Sequence, residues 1–209
     1  MNRPTILTAL ALASALALSG CAAGSEEPAD TAGESPGAGP STAAPDSGGV
    51  DSISSEHNEQ DVMFAQMMTP HHQQAVEMSE MLLAKEDIPT EVADFAQQVI
   101  DAQGPEIERM NAMLEAWGEE PGDMGGMDHG SGMGGMMSEE DMAALEEAQG
   151  TEAAQLYLEQ MITHHEGAVE MAQEQLDSGA NPEALQLAQQ IIDAQEAEIA
   201  QMEDMLTNL

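Results

Sequence analysis

The sequence holds one cysteine, only three basic residues and no apolar run long enough to cross a membrane as a helix, and each shortage closes off a class of interpretation. With Cys21 alone, no intramolecular disulfide can form. Lysine and arginine number 3 against 40 aspartates and glutamates, a formal net charge of −37, which argues against nucleic acid as a partner. A field of that sign concentrates cations and keeps a chain soluble, and any single acid reads first as a solvated surface group. The apolar stretch from Ile6 to Leu18 falls short of the roughly 20 residues that a membrane-spanning helix needs. No strand pattern stands out. Nor does a Ser-His-Asp or Cys-His constellation, a phosphate-cradling glycine motif or a nucleotide fingerprint, and the chain is read as a non-enzyme.

What is present begins with an export signal. Arg3, the apolar stretch and the small residues before Cys21 are its three parts, so residues 1–20 read as a signal peptide. Leu18-Ser19-Gly20-Cys21 resembles the bacterial lipobox, which makes Cys21 the expected lipidation site and the cell membrane's extracytoplasmic face the expected location. Residues 21–55 are Gly, Ser, Pro, Ala, Thr and acid, a composition that cannot bury enough surface to order itself, and read as a disordered tether. Residues 56–209 are then one domain of ordinary size.

That domain repeats itself. Met68-x-x-His71-His72-x-x-Ala75-Val76-Glu77-Met78 recurs at an offset of 93 as Met161-x-x-His164-His165-x-x-Ala168-Val169-Glu170-Met171, with Phe64 matched by Tyr157. At an offset of 92, the run from Ala96 to Gln103 matches that from Ala188 to Gln195; Met110, Met113 and Leu114 match Met202, Met205 and Leu206. Helical apolar spacing and an abundance of Ala, Leu, Met, Gln and Glu predict two helices per copy, and hence a duplicated helical hairpin closing into an all-α four-helix bundle. Asn58, Thr90, Thr151 and Asn181 are the predicted caps of the four main helices, and Ser138-Glu-Glu-Asp141 starts a shorter one. Pro70 and Pro105, inside the first copy's helices, each remove a backbone donor and are expected to bend them.

Residues advance about 100° each along a helix, so Phe64, Met68, His71, Ala75 and Met78 form one stripe with His72 at its edge. Tyr157, Met161, His164, Ala168 and Met171 repeat it. Methionine at this spacing also suits plain core packing. An imidazole at the centre of an apolar stripe needs a partner, and two His pairs beside thioethers point to a metal; Glu106 and Glu198, at matching positions, are candidate supports for the histidines. Sulfur with imidazole favours copper, Cu(I) above all, whereas zinc more often takes Cys, His and carboxylate. A glycine-rich link at about 119–138 adds Met124, Met127, His129, Met133, Met136 and Met137, where an exposed mobile segment has no packing use for thioethers.

The two Met-x-x-His-His-x-x-Ala-x-x-Met motifs, the Gln103–Met110 and Gln195–Met202 segments and the Met/His/Gly link resemble the bacterial family of domains of unknown function numbered 305. That resemblance, over about 57–209, implies a ferritin-like four-helix bundle and copper-binding, copper-resistance proteins outside the cytoplasm. It also implies a ligand set of Met68, His71, His72, Met78, Met161, His164, His165 and Met171. The leading expectation is a lipid-anchored protein that captures or buffers copper. An interaction bundle whose Met-rich link docks a protein partner is the alternative. A ferritin-like metal oxidase is the weaker one, because that chemistry needs Glu three residues before its His, and Met68, Thr69, Met161 and Ile162 stand there.

Overall fold

In a computed structural model the described residues are 53–122 and 134–209. Cys21, the tether, and Met124, Met127, His129 and Met133 of the link lie outside them. The chain forms α1 (Glu59–Leu83), α2 (Thr90–Trp117), the short α3 (Glu139–Glu147), α4 (Gly150–Ser178) and α5 (Pro182–Asn208). α1 pairs with α2 and α4 with α5, and the two hairpins meet mainly where α1 packs on α4. The expected duplicated hairpin and all-α bundle are therefore what the residues build, with no strand among those described. None of the described helices is long and apolar enough to cross a membrane.

Local chemistry sets the helix ends. Asn58 and Asp61 form a reciprocal capping box at α1, and Ser138 and Asp141 form another at α3. The Ser138 hydroxyl and amide hold the Asp141 carboxyl below its ordinary range. Asn181 accepts from the Ala184 amide with Pro182 at the first position of α5. Two predicted caps are corrected. Pro89 occupies the cap position of α2, its fixed φ already suited to helix entry, and Thr90 is the first helical residue. At α4, Gly150 adopts a φ of 55° in the turn from α3, which moves the cap back to Gln149 and puts Thr151 inside the first turn. Both α1 and α2 continue unbroken through Pro70 and Pro105. At Pro70 the Gln66 carbonyl lacks its usual amide donor, and Gly122 lies so close to it that a Cβ would collide; Gln66 Nε2 in turn donates to the Glu120 carbonyl at 2.8 Å.

α1 and α4 run antiparallel, as the pairs Asp61–Gln175 and Ser79–Tyr157 show. The duplication thus becomes an approximate two-fold axis crossing the α1–α4 seam where His71 meets His164. Apolar side chains collect in two clusters. One holds Met78, Phe95, Tyr157, Met161 and Met202; the other holds Phe64, Met68, Met110, Ala168 and Leu187. Each large side chain removed from water contributes about 1.5–3 kcal/mol. The repeat is broken where chemistry requires it. The buried Tyr157 hydroxyl donates to Ser79 at 2.8 Å, while the equivalent pair in the other cluster, Phe64 and Ala172, is wholly apolar. The two basic side chains of the bundle serve neutral acceptors: Lys85 the Glu146 carbonyl at the end of α3, Arg109 the Gln190 side chain and Glu183 carbonyl on α5.

Candidate metal centre

The histidines form a polar layer at the seam. His71, His72, His164 and His165 are all fully buried. The His71 and His164 rings, from different hairpins, lie 3.7 Å apart between centroids and are tilted by 41°. His72 and His165 each donate Nε2–H to a carboxylate on the other helix of their own hairpin, Glu106 and Glu198 respectively, both at 2.8 Å. The matching acids expected to support the histidines do so. In both rings Nδ1 meets no hydrogen-bond partner among the described residues.

His71 donates Nε2–H to the Gly134 carbonyl at 3.2 Å, which leaves its Nδ1 bare, and neither nitrogen of His164 has a partner among the described residues. Burial, reinforced by the neighbouring imidazoles, pushes the His71 pKa down to about 3 and that of His164 well below its ordinary value. Both rings are therefore neutral at physiological pH, the state in which imidazole binds metal. Five ring nitrogens of one buried layer without a partner among the described residues are far from the rule that buried polar atoms are satisfied.

A lowered histidine pKa has a definite sign in stability. Between about pH 3 and 6.5 the unfolded chain binds more protons than the folded one, so this contribution is complete above pH 6.5 and is lost as pH falls. Acid also relieves repulsion among the carboxylates, which acts the other way. Comparing the metal-free protein with a His71→Gln, His164→Gln variant isolates the histidines. The drop in melting temperature from pH 7.5 to 5.5 is expected to be smaller in the variant, and equal drops would contradict the neutral-ring assignment.

Met68, Met78 and Met161 are fully buried on the two stripes and Met171 is half-buried. Met68 and Met171 belong to one apolar cluster, Met78 and Met161 to the other. Of the link candidates among the described residues, Met136 and Met137 are half-buried. Met137 exchanges two backbone hydrogen bonds with the Gln74 side chain, at 2.7 and 2.9 Å, which ties the end of the link to α1 one turn beyond the histidines. Among the described residues, no three His, Cys, Asp or Glu side chains gather around a common point.

Sequence reasoning missed two parts of this layer. Gln103 and Gln195, one turn before Glu106 and Glu198, are buried with unpartnered amide atoms; their identical place in both copies was the available signal. The second is the seat for the link. Gly134 and Gly135 lie against Thr163, His164 and Gly167, and a Cβ on Gly167 would strike the Gly134 carbonyl that His71 uses. Gly167 stands where the first copy has Gln74, and that departure from the repeat marks the seat. Gly167→Ala is expected to dislodge this strap and cost about 1–3 kcal/mol in thermal or urea unfolding; an unchanged midpoint would show that the strap does not sit there.

Comparison with known proteins places this architecture. No curated protein matches the chain. The family model described as Domain of unknown function (DUF305) matches residues 61–206. A DUF305 fragment from Deinococcus radiodurans is 36% identical, with a TM-score of 0.67 over 73% of this chain and 98% of that one. A DUF305 protein from Streptomyces coelicolor is 32% identical, with a TM-score of 0.66 over 71% and 93%. CopM, solved in Cu(II)-bound form, is 38% identical, with a TM-score of 0.61 over 71% and 96%; it has also been solved with Cu(I) and with silver. The matched residues include both His pairs and all but the outermost ends of the four long helices, and the chain belongs to the DUF305 family.

Proposed function

We propose that this chain is a non-enzymatic, extracytoplasmic copper-binding lipoprotein that captures or buffers copper, with Cys21 as its lipid anchor. The observation that carries the reading is the buried pair of neutral imidazoles, His71 and His164, whose rings meet across the seam with three ring nitrogens that lack a partner among the described residues. Their chemistry suits Cu(I), and His72 and His165, oriented by Glu106 and Glu198, extend the donor set. Met68, Met78, Met161 and Met171 are the thioether candidates of the bundle; Met124, Met127, His129, Met133, Met136 and Met137 are those of the link. The copper- and silver-bound forms of CopM support the same metal class. The acidic surface raises the local cation concentration.

The interaction-bundle reading requires histidines satisfied by fixed acceptors. Three of the four do hold one acceptor, which gives that reading its footing, but each keeps a bare nitrogen and His164 has no partner among the described residues. Anaerobic Cu(I) titration of the full chain against a competing chelator decides between them. Tight binding that is lost when His71, His72, His164 and His165 are all changed to Ala supports the copper reading. Binding unchanged in that variant moves copper to the methionines of the link, and no binding above background favours the interaction bundle.

A further inference from the structure

A groove of about 1040 Å³ opens between the second half of α1 and α3, outside the histidine layer, and none of the described histidines lines it. Four methionines from three stretches of chain are among its lining residues: Met81 of α1, Met142 of α3, and Met136 and Met137 from the segment entering α3. Glu77, Glu139, Glu140 and Glu146 line it as well, with neither lysine nor arginine among the lining residues. The nearest base, Lys85, is engaged by the Glu146 carbonyl.

The walls are fixed. The two hydrogen bonds between Gln74 and the Met137 backbone hold the entering segment to α1. The Ser138–Asp141 capping box sets the start of α3, and Gln160 Nε2 donates to the Asp141 carbonyl at 2.9 Å, tying α3 to α4. Met81, Met137 and Met142 rest on the neighbouring apolar cluster yet stay partly exposed at the groove. Packing of that kind asks for an apolar side chain but not for sulfur. An apolar partner segment would have to lie beside four carboxylates, whereas a soft cation uses both features: neutral sulfur selects it and the carboxylates attract it.

We propose that this groove is a second metal site, separate from the histidine layer, that holds a monovalent soft cation of the Cu(I) and Ag(I) class through Met81, Met136, Met137 and Met142. It deepens the copper reading by giving two link methionines partners on the bundle itself. Hard divalent cations, which prefer oxygen ligands, do not displace the ion.

The test uses the full chain and Ag(I), supplied as silver nitrate, with native mass spectrometry for stoichiometry and carbon-13 methyl NMR for the methionines. The four methyl resonances are expected to shift together on adding Ag(I) and to stay shifted in excess Mg²⁺. The variant M81L/M136L/M137L/M142L, a volume-conserving change, is expected to bind one Ag(I) fewer while keeping its helical circular dichroism. Unchanged stoichiometry in that folded variant overturns the site, as do four unmoved methyls in the unaltered chain. If the variant loses its fold, the methyl shifts of the unaltered chain decide. The two sites fail separately: a chain lacking all four seam histidines is expected to bind one Ag(I) fewer with these methyl shifts intact, and unchanged stoichiometry in that chain would refute the seam while leaving the groove.

Discussion

His164→Leu is expected to weaken Cu(I) binding by about 100-fold or more and, in the same protein without metal, to raise stability by about 1 kcal/mol. The two effects come from one fact. Both nitrogens of His164 are buried and neither finds a partner among the described residues, so in the absence of an ion the fold carries the desolvation penalty of an unsatisfied polar ring. Leucine fills nearly the same volume without that penalty. Loss of an outer supporting partner such as Glu106 typically weakens a metal site by about 10–100-fold, and loss of a direct ligand should exceed the upper end of that range. Chelator competition and denaturant melts measure the two quantities side by side. A histidine kept only for packing would give the opposite result in the melt, a destabilised protein, and that outcome would sink the metal assignment.

Asp61→Ala is expected to cost about 3 kcal/mol or more and to separate the start of α1 from the α4–α5 turn. The Asp61 carboxylate is fully buried with no cation beside it among the described residues. It accepts from the Asn58 amide at 2.8 Å, from Gln175 Nε2 at 2.6 Å, and from the Ala180 and Asn181 amides at about 3.1 Å. Those donors come from the beginning of α1, the last turns of α4 and the entry to α5, and the partial positive charges of two helix starts replace a counter-ion. Alanine would strand all four donors. Asp61→Asn keeps one acceptor oxygen and should fall between the two. Urea denaturation followed by circular dichroism would test this, and a change below about 1 kcal/mol for Asp61→Ala would show that water can replace the carboxylate.

Asp61 also marks the limit of what the sequence makes legible. Among so many acids, nothing in its local pattern separates it from a solvated one, and the matching position in the second copy is Ala154. Its role arises from contacts with residues more than a hundred positions away. The groove residues Met81 and Met142 are hidden for the same reason, since only the docking of α3 brings them to one cavity. The hairpins, by contrast, follow from the internal repeat, which reports helix pairing directly because each copy must bury its stripe against the other. The histidine pairs stand out because polar rings on an apolar stripe violate the expected pattern. Glu106 and Glu198 were recoverable from their matching positions alone. Helix starts were legible where a side chain does the capping, as at Asn58, Ser138 and Asn181, and misplaced where backbone geometry does it, as at Pro89 and Gln149.

Because the two rings that meet at the seam come from different hairpins, an ion shared by His71 and His164, as proposed, would be a reversible cross-link between the two halves of the duplication. Each hairpin closes through a turn of a few residues, whereas the seam joins positions 93 apart, so its contacts carry most of the loop-closure entropy of the fold. An ion that binds only the docked halves adds stability that grows with its concentration, about 2.7 kcal/mol when free ion stands at 100 times Kd. Under the proposed copper-binding role, resistance to unfolding and to proteolysis would track metal supply, and the lifetime of the protein would become a record of how much of the ion it has met.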